Sequence, residues 1–469
     1  MTFLTAKAQS ELSAFNLTGS GYSTTTANDY QCLGINPGNL GWTWNNRSIN
    51  LGLLESGFSI YAAPLTSKQV VNDMFNNSLK LTMAERKQAA QDFTDKLISA
   101  NVAFTWLGIS YQDDKIGGFA FAIRERITWN SSLNGYGARF LFLGFHDSYF
   151  DSLVVNGQDT TGYSKHPQKA SSLYQGTTQS FLWAREYDLG YGRIIIDKEK
   201  VKWYGGIDFK YMTIFAGTQY HDATSDGTVG FSALSPLFDV NYSEPTPSMI
   251  SGNGLKKVGW GWGIDIGTSL LLFDKLRIGL ALNDIGQIKY TGNVYTGQDT
   301  HVGKITSAGI SNYNIFQQGQ LISADNTLKD SAMWQGLSNK TFANPMNFRA
   351  GVSYQIVKQL EVGTDFLIPV KMDVPGAYEK MIFGLGCRYD PAKWVELSLG
   401  VVSGGKFGTN MPFGVTFFPV KGATIWQLGF ATRDLITFFN PKTPTVSLAM
   451  GFLRFSFGNK RETNTASPQ

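Results

Sequence analysis

Residues 258–283 read VGWGWGIDIGTSLLLFDKLRIGLALN, and both halves of this stretch follow one pattern. Trp260, Trp262, Ile264, Ile266 and Thr268 take every second position, with Gly261, Gly263, Asp265, Gly267 and Ser269 between them. After Asp274-Lys275 the alternation resumes, Leu276, Ile278, Leu280 and Leu282 interleaving with Arg277, Gly279, Ala281 and Asn283. Successive side chains of a β-strand point to opposite faces. The stretch is therefore a hairpin with one oily face and one face of small residues carrying isolated charges. In a membrane barrel that division sends apolar residues to lipid and small or polar ones to the lumen.

Working outward, the same pattern recurs. Trp203, Ile207, Phe209 and Tyr211 oppose Tyr204, Gly206, Asp208 and Lys210. Phe348, Ala350, Val352, Tyr354 and Ile356 oppose Arg349, Gly351, Ser353 and Gln355. Strands are predicted at 50–62, 101–111, 116–128, 180–196, 201–217, 258–273, 275–292, 346–357, 360–370, 379–389, 394–402, 410–420, 423–433 and 445–458. In the last of these the apolar positions slip from Val446, Leu448, Met450 and Phe452 to Leu453, Phe455 and Phe457, which predicts a bulge near Phe452. Tight links alternate with longer ones, the long ones including 63–100, 129–179, 218–257 and 293–345. Short periplasmic turns, long extracellular loops and an even strand count are the habit of outer-membrane barrels. A soluble sandwich or propeller would space its strands evenly and would not carry four such loops.

Composition agrees. The 469 residues include 51 Gly, 33 Phe, 20 Tyr and 11 Trp, and 16% are charged, against about 25% in average soluble domains. Mean hydropathy is −0.13, and no apolar run approaches the roughly 18 residues of a membrane helix. A chain that spans lipid without such helices must close a barrel to pair its backbone groups. The expectation is an all-β fold: a transmembrane antiparallel barrel of about fourteen strands over 48–458, with an N-terminal plug and a short helical insert, multi-pass in the outer membrane of a Gram-negative bacterium.

Outside the strands, Ala6-Lys7-Ala8 ends residues 1–8 as the remnant of a secretory signal with cleavage before Gln9. Residues 9–47 are small and polar, with Gly19, Gly21, Gly34 and Ser23-Thr24-Thr25-Thr26, and close on Asn36-Pro37-Gly38-Asn39-Leu40. Pro37 and the glycines favour turns over pairing, so this segment is expected to fold into the lumen as a plug. Residues 459–469 are a periplasmic tail. The insert at 66–98 is helical: Thr82-Met83-Ala84-Glu85 is a capping box, Leu81, Phe93, Leu97 and Ile98 supply an apolar stripe, and Val70, Val71, Met74 and Phe75 suggest a second short helix.

The small segment ending in Asn36-Pro37 with Leu40, directly before the first strand, resembles the long-chain fatty acid transporter (FadL-like) superfamily. It resembles still more an uncharacterised group of plugged barrels within or beside it, which includes the barrel subunit (PorV-like) of a protein secretion apparatus. Ile109-Ser110-Tyr111 and Gly118-Phe119-Ala120-Phe121-Ala122-Ile123-Arg124-Glu125-Arg126 resemble that group too. The resemblance implies a plugged barrel with a transport or an accessory role.

Little points to catalysis. His146, His166, His221 and His301 fall in separate loops without metal-ligand spacing, and no nucleophile elbow, Walker loop or dinucleotide fingerprint is present. No cofactor is expected. A net charge of +4 with scattered basic residues gives no reason to expect nucleic acid. Cys32 and Cys387 could pair, although two separate thiols are the favoured reading. Inward positions hold Glu186, Asp188, Asp208, Lys210, Asp265, Arg277, Arg349, Glu361, Asp365, Arg388 and Glu396. Opposite charges so confined should pair and hold the plug; a polar conduit is the functional alternative. Phe140, Phe142 and Phe145, and with Leu234 also Phe231 and Phe238, are candidate contacts for a lipophile in the long loops. Two functions stay open: uptake of a hydrophobic small molecule, and a plugged scaffold for a secretion or surface protein complex.

Overall fold

The structure is a computed structural model, which describes residues 15–42, 48–73, 80–157, 159–240, 242, 244–313, 330, 332–377, 380–405 and 408–458. The expected signal remnant, the C-terminal tail, and Met74 and Phe75 of the insert lie outside the described residues.

Alternating oily and small faces produce one continuous ring of strands. In chain order they are β1 (Ile49–Ala62), β2 (Leu97–Asp113), β3 (Gly117–Ser132), β4 (Thr178–Lys198), β5 (Val201–Tyr220), β6 (Gly259–Leu272) and β7 (Leu276–Tyr290). They continue as β8 (Asn347–Val357), β9 (Leu360–Pro369), β10 (Ile382–Ala392), β11 (Val395–Gly404), β12 (Phe413–Lys421), β13 (Ile425–Thr432) and β14 (Thr445–Phe457). Each pairs antiparallel with the next. β1 then pairs with β14, from Ile49 opposite Phe457 to Tyr61 opposite Thr445, and the sheet closes without an edge. All fourteen predicted strands are present. No helix among the described residues is long and apolar enough to cross a membrane; the chain crosses by strands, as an outer-membrane-type barrel.

The hairpin that decided the fold keeps its predicted facing. Trp260, Ile266 and Leu280 are exposed on the outside, while Asp265 and Ala281 are buried inside. Single-residue irregularities then reset the facing of particular strands. Leu54 takes a left-handed conformation at φ 53° and Asp284 one at φ 63°, and pairing in β7 shifts between Leu282 and Ile285. The slip expected near Phe452 is seen as a register shift opposite β13, between Gln427 and Gly429.

Short turns lie at one end of the barrel and long loops at the other. At the long-loop end, strands Thr228–Leu234, Val294–Gln298, Met333–Gly336 and Lys340–Ala343 continue the wall beyond β5 and β7. The insert packs there as helices Ser67–Asp73 and Met83–Phe93. Its capping box forms: the Glu85 amide donates to the Thr82 hydroxyl at 3.3 Å, and the Thr82 amide donates to the Glu85 carboxylate at 2.7 Å. These bonds hold the Glu85 carboxyl below its usual range. Phe93 lies edge-on to Phe142 at 4.8 Å, joining the insert to helix Gly135–Leu143.

Leu280 stands on the outer face four residues up β7 from Leu276, roughly 10 Å by strand rise and tilt and so near the middle of an apolar band about 25 Å tall. Leu280→Arg should weaken folding into bilayers by about 2–4 kcal/mol, read from urea unfolding in vesicles, whereas Leu280→Met should cost little.

Candidate functional site: the lumen and its N-terminal segment

Residues 15–42 lie against the inward faces of the strands, in a chain of short turns: helix Asn16–Gly19, then 3-10 turns Asp29–Cys32 and Pro37–Gly41. Such a backbone makes few bonds to itself, so the wall must satisfy it. Asp365 accepts the amides of Ser23 at 2.7 Å and Thr24 at 2.8 Å, and also both hydroxyls. Arg124 donates to the Leu33 carbonyl at 2.8 Å, Gln112 to that of Leu40 at 3.0 Å, and Asn283 to those of Gly34 and Ile35. Arg454 pairs with Asp29 at 2.5 Å and lies over the rings of Phe15 and Tyr30. The Tyr30 hydroxyl donates to Glu55, and burial raises the Tyr30 phenol well above its usual pKa.

The sequence run 36–40 carries the sharpest of these contacts. The Asn36 side chain accepts the Gly38 amide and donates to the Thr24 and Thr268 carbonyls and the Ser269 hydroxyl. Asn39 donates to the Ala27 carbonyl at 2.6 Å and bonds Ser269. Pro37 and Gly38 rest on the bare backbone of Gly206 and Gly267, where an added Cβ would overlap them. Leu40 is fully buried among Ala27, Tyr30, Cys32, Leu33 and Ile35 of the segment and Ala120 and Ala122 of β3.

The inward charges are assembled largely as pairs. Lys210, with no exposed surface, sits 3.1 Å from Asp265 and 2.6 Å from Asp284. Arg124 pairs with Asp188 at 2.8 Å and Arg126 with Glu186 at 3.1 Å. Asp208 stands directly opposite Asp265 in the register, and its carboxylate makes no hydrogen bond among the described residues. Nearer the short-turn end, Arg277 pairs with Glu361 at 3.2 Å and stacks 3.8 Å from the Trp42 ring, and Arg388 pairs with Glu396 at 3.2 Å. These four charges, with Lys358, Asp390 and Lys421, line a polar cavity of about 300 Å³. Arg349 reaches the Ser23 hydroxyl at 3.3 Å. Asp29, Glu55, Asp284 and Arg454 belong to this network although alternation alone does not single them out.

Above the charged layer the inner wall turns apolar. Leu182, Ala184, Met212, Ile214, Ile288 and Tyr290 face inward and pack with Phe231, Val258 and Val294, against which Phe342 rests. The loop aromatics do not gather at one point. Phe140 sits in a loop core with Tyr174, Tyr220 and Trp334, and Phe145 packs on its flank. Phe142 belongs to the core under the insert. Phe231 is on the inner side, 4.8 Å from Tyr290, while Phe238 lies against Phe181 and Trp183 of the outer wall. Loop 370–377 crosses to β4, where the Gly376 amide donates to the Ser180 hydroxyl at 2.9 Å. Cys32 and Cys387 are separate free thiols, Cys32 buried in the segment. Among the described residues no group of three or more His, Cys, Asp or Glu could hold a metal ion.

A family model described as "Family of unknown function (DUF5723)" matches residues 46–421. No curated protein matches the chain. Among solved structures, the TodX monoaromatic hydrocarbon channel deltaS2 mutant is 12% identical, covering 96% of this chain and 98% of its own at a TM-score of 0.46. The Pseudomonas putida toluene transporter TodX is 10% identical, covering 96% and 99%, at 0.43. A Pseudomonas aeruginosa FadL homologue is 9% identical, covering 96% and 98%, at 0.41.

Cys32 offers a reporter of the segment, because burial also pushes its thiol pKa well up. Gly108 faces the Tyr30 ring with no room for a Cβ. In a Cys387→Ser background, Gly108→Leu should speed labelling of Cys32 roughly tenfold or more. An unchanged rate would mean that this contact does not seat the segment.

Proposed function

Because the chain belongs to the family of unknown function DUF5723, whose model spans residues 46–421, its activity has to be read from its own wall, and we propose uptake of a hydrophobic small molecule across the outer membrane of a Gram-negative bacterium. The observation that carries this reading is the apolar inner wall of Leu182, Met212, Ile214, Ile288 and Tyr290 beneath the long loops. A barrel that passes water-soluble solutes has a polar interior; an oily ring facing inward suits a lipophile. The long loops are then extracellular and the short turns periplasmic. A ligand enters by displacing Phe231 and Phe342 from the ring, with the loop cores around Phe140, Phe142 and Phe145 as the frame that moves. Phe238 is the contact on the membrane side of that frame.

Residues 15–42 are the plug of this conduit. Below the ring the ligand meets the layer of Lys210, Asp265 and Asp284, so passage requires Asn36–Leu40 to leave Gly206 and Gly267. The polar cavity around Arg277 and Glu361 is the periplasmic exit. A second reading, a permanently plugged scaffold for a secretion or surface complex, is favoured by the bonds that fix the segment to β1, β2, β3, β7, β9 and β14.

Native mass spectrometry of protein extracted gently from its own membranes separates the two. Transport expects one small lipophile per barrel, with Ile214→Asp lowering its occupancy at least ~tenfold, since a buried charge replaces the oily contact. A co-purifying protein partner with no lipophile, or occupancy indifferent to Ile214→Asp, would sink the transport reading.

A further inference from the structure

The outer face of a barrel strand is apolar where it meets lipid, and a charge there is costly. β3 and β4 break this rule together. Glu125 and Arg185 are directly opposite in the register and both point outward, between Ile123 and Ile127 on one strand and Trp183 and Tyr187 on the other. The carboxylate is built in: it accepts the Trp183 indole at 2.5 Å, the Trp106 indole at 3.2 Å and the Arg185 Nε–H at 2.7 Å. Glu125 is only 8% exposed beneath these groups. Arg185 lies over the rings of Trp106 and Phe215 at 5.9 and 5.3 Å, and its side chain keeps 31% exposure. Glu125 therefore aims the arginine; the arginine is the group turned to the membrane.

A second cation stands nearby on the same face. Lys257 is exposed, donates to the Tyr211 hydroxyl at 3.1 Å and lies 5.7 Å from that ring. Tyr211 is opposite Tyr187 in the register. Arg185, Tyr187, Tyr211 and Lys257 thus form a polar row across β4, β5 and the start of β6. Directly towards the short-turn end on those strands the wall is bare hydrocarbon: Leu189, Phe209, Ile207 and Ile266 are all about half exposed. Glu125 is eight residues along β3 from Gly117, roughly 20 Å up by strand rise and tilt, near the upper margin of an apolar band about 25 Å tall.

We propose that this footprint, cationic and hydroxylated above and aliphatic below, is a site for one outer-leaflet lipid whose headgroup carries phosphate. Arg185 and Lys257 bind the phosphate, Tyr187 and Tyr211 bond the headgroup, and the acyl chains run down over Leu189, Phe209 and Ile266. Phosphate fits because guanidinium and ammonium groups beside phenols give it several charge-assisted donors. The site is independent of what passes through the lumen. An ion pair present only to neutralise itself would not need Lys257 and two tyrosine hydroxyls in line with it.

The test uses the delipidated full-length protein, titrated with bis-phosphorylated lipid A, with the same lipid A stripped of phosphate, and with phosphatidylcholine, followed by native mass spectrometry. The expected result is a one-to-one adduct with phosphorylated lipid A, weakened roughly tenfold or more by dephosphorylation. Lys257→Gln, at an exposed position, should weaken it as well, and Arg185→Gln with Glu125→Gln more so, with heat-shifted electrophoresis confirming a folded barrel. Equal retention of the three lipids, or phosphate preference unchanged in Lys257→Gln and in the double variant, overturns the proposal.

Discussion

Closure of the sheet, β1 onto β14, is the constraint from which the rest of the molecule follows. Lipid offers no partner to a backbone amide, so every strand must find two neighbours, and only a ring provides them. Once the ring exists, each strand has an inside and an outside that cannot exchange. Side-chain type is then dictated position by position: Trp260, Ile266 and Leu280 outward, Asp265, Gly267 and Ala281 inward. Charges placed inward cannot reach bulk water freely, and so they pair across strands, as Lys210 does with Asp265 and Asp284. The N-terminal segment completes that pairing from within, Asp29 meeting Arg454 and the amides of Ser23 and Thr24 meeting Asp365.

What the sequence makes legible is set by the same constraint. A strand with lipid on one side shows its period plainly, which is why the β6–β7 hairpin can be read residue by residue. Pairing partners are harder, since they are distant in the chain: nothing near Asp29 announces Arg454. Departures from strict alternation have a more local cause. Strict alternation with Leu51 and Leu53 sends Glu55 outward, but the left-handed backbone at Leu54 turns it in to Tyr30. The same event at Asp284 brings that carboxylate to Lys210. One such irregularity reverses every facing beyond it, and the pattern betrays it only where the apolar positions slip with it, as they do near Phe452.

Loop aromatics illustrate the opposite limit. Phe140 and Phe142 are two positions apart in one helix and end in different cores, and Phe231 and Phe238 end on opposite sides of the wall. Composition marks these loops as capable of building an apolar structure, but it holds no information on which surfaces meet, because long loops close over one another rather than over their own neighbours. The helical insert was legible because its signal is short-range: Thr82 and Glu85 need only each other.

The glycines under the N-terminal segment have one further consequence. Gly52, Gly108, Gly206 and Gly267 let Tyr30, Pro37 and Gly38 touch the strands themselves. With that segment withdrawn, these stretches of wall would present naked peptide instead of side chains. The bore left behind would be wider than strand number alone implies, and its surface would be a ladder of carbonyl and amide dipoles with little grip on any one solute.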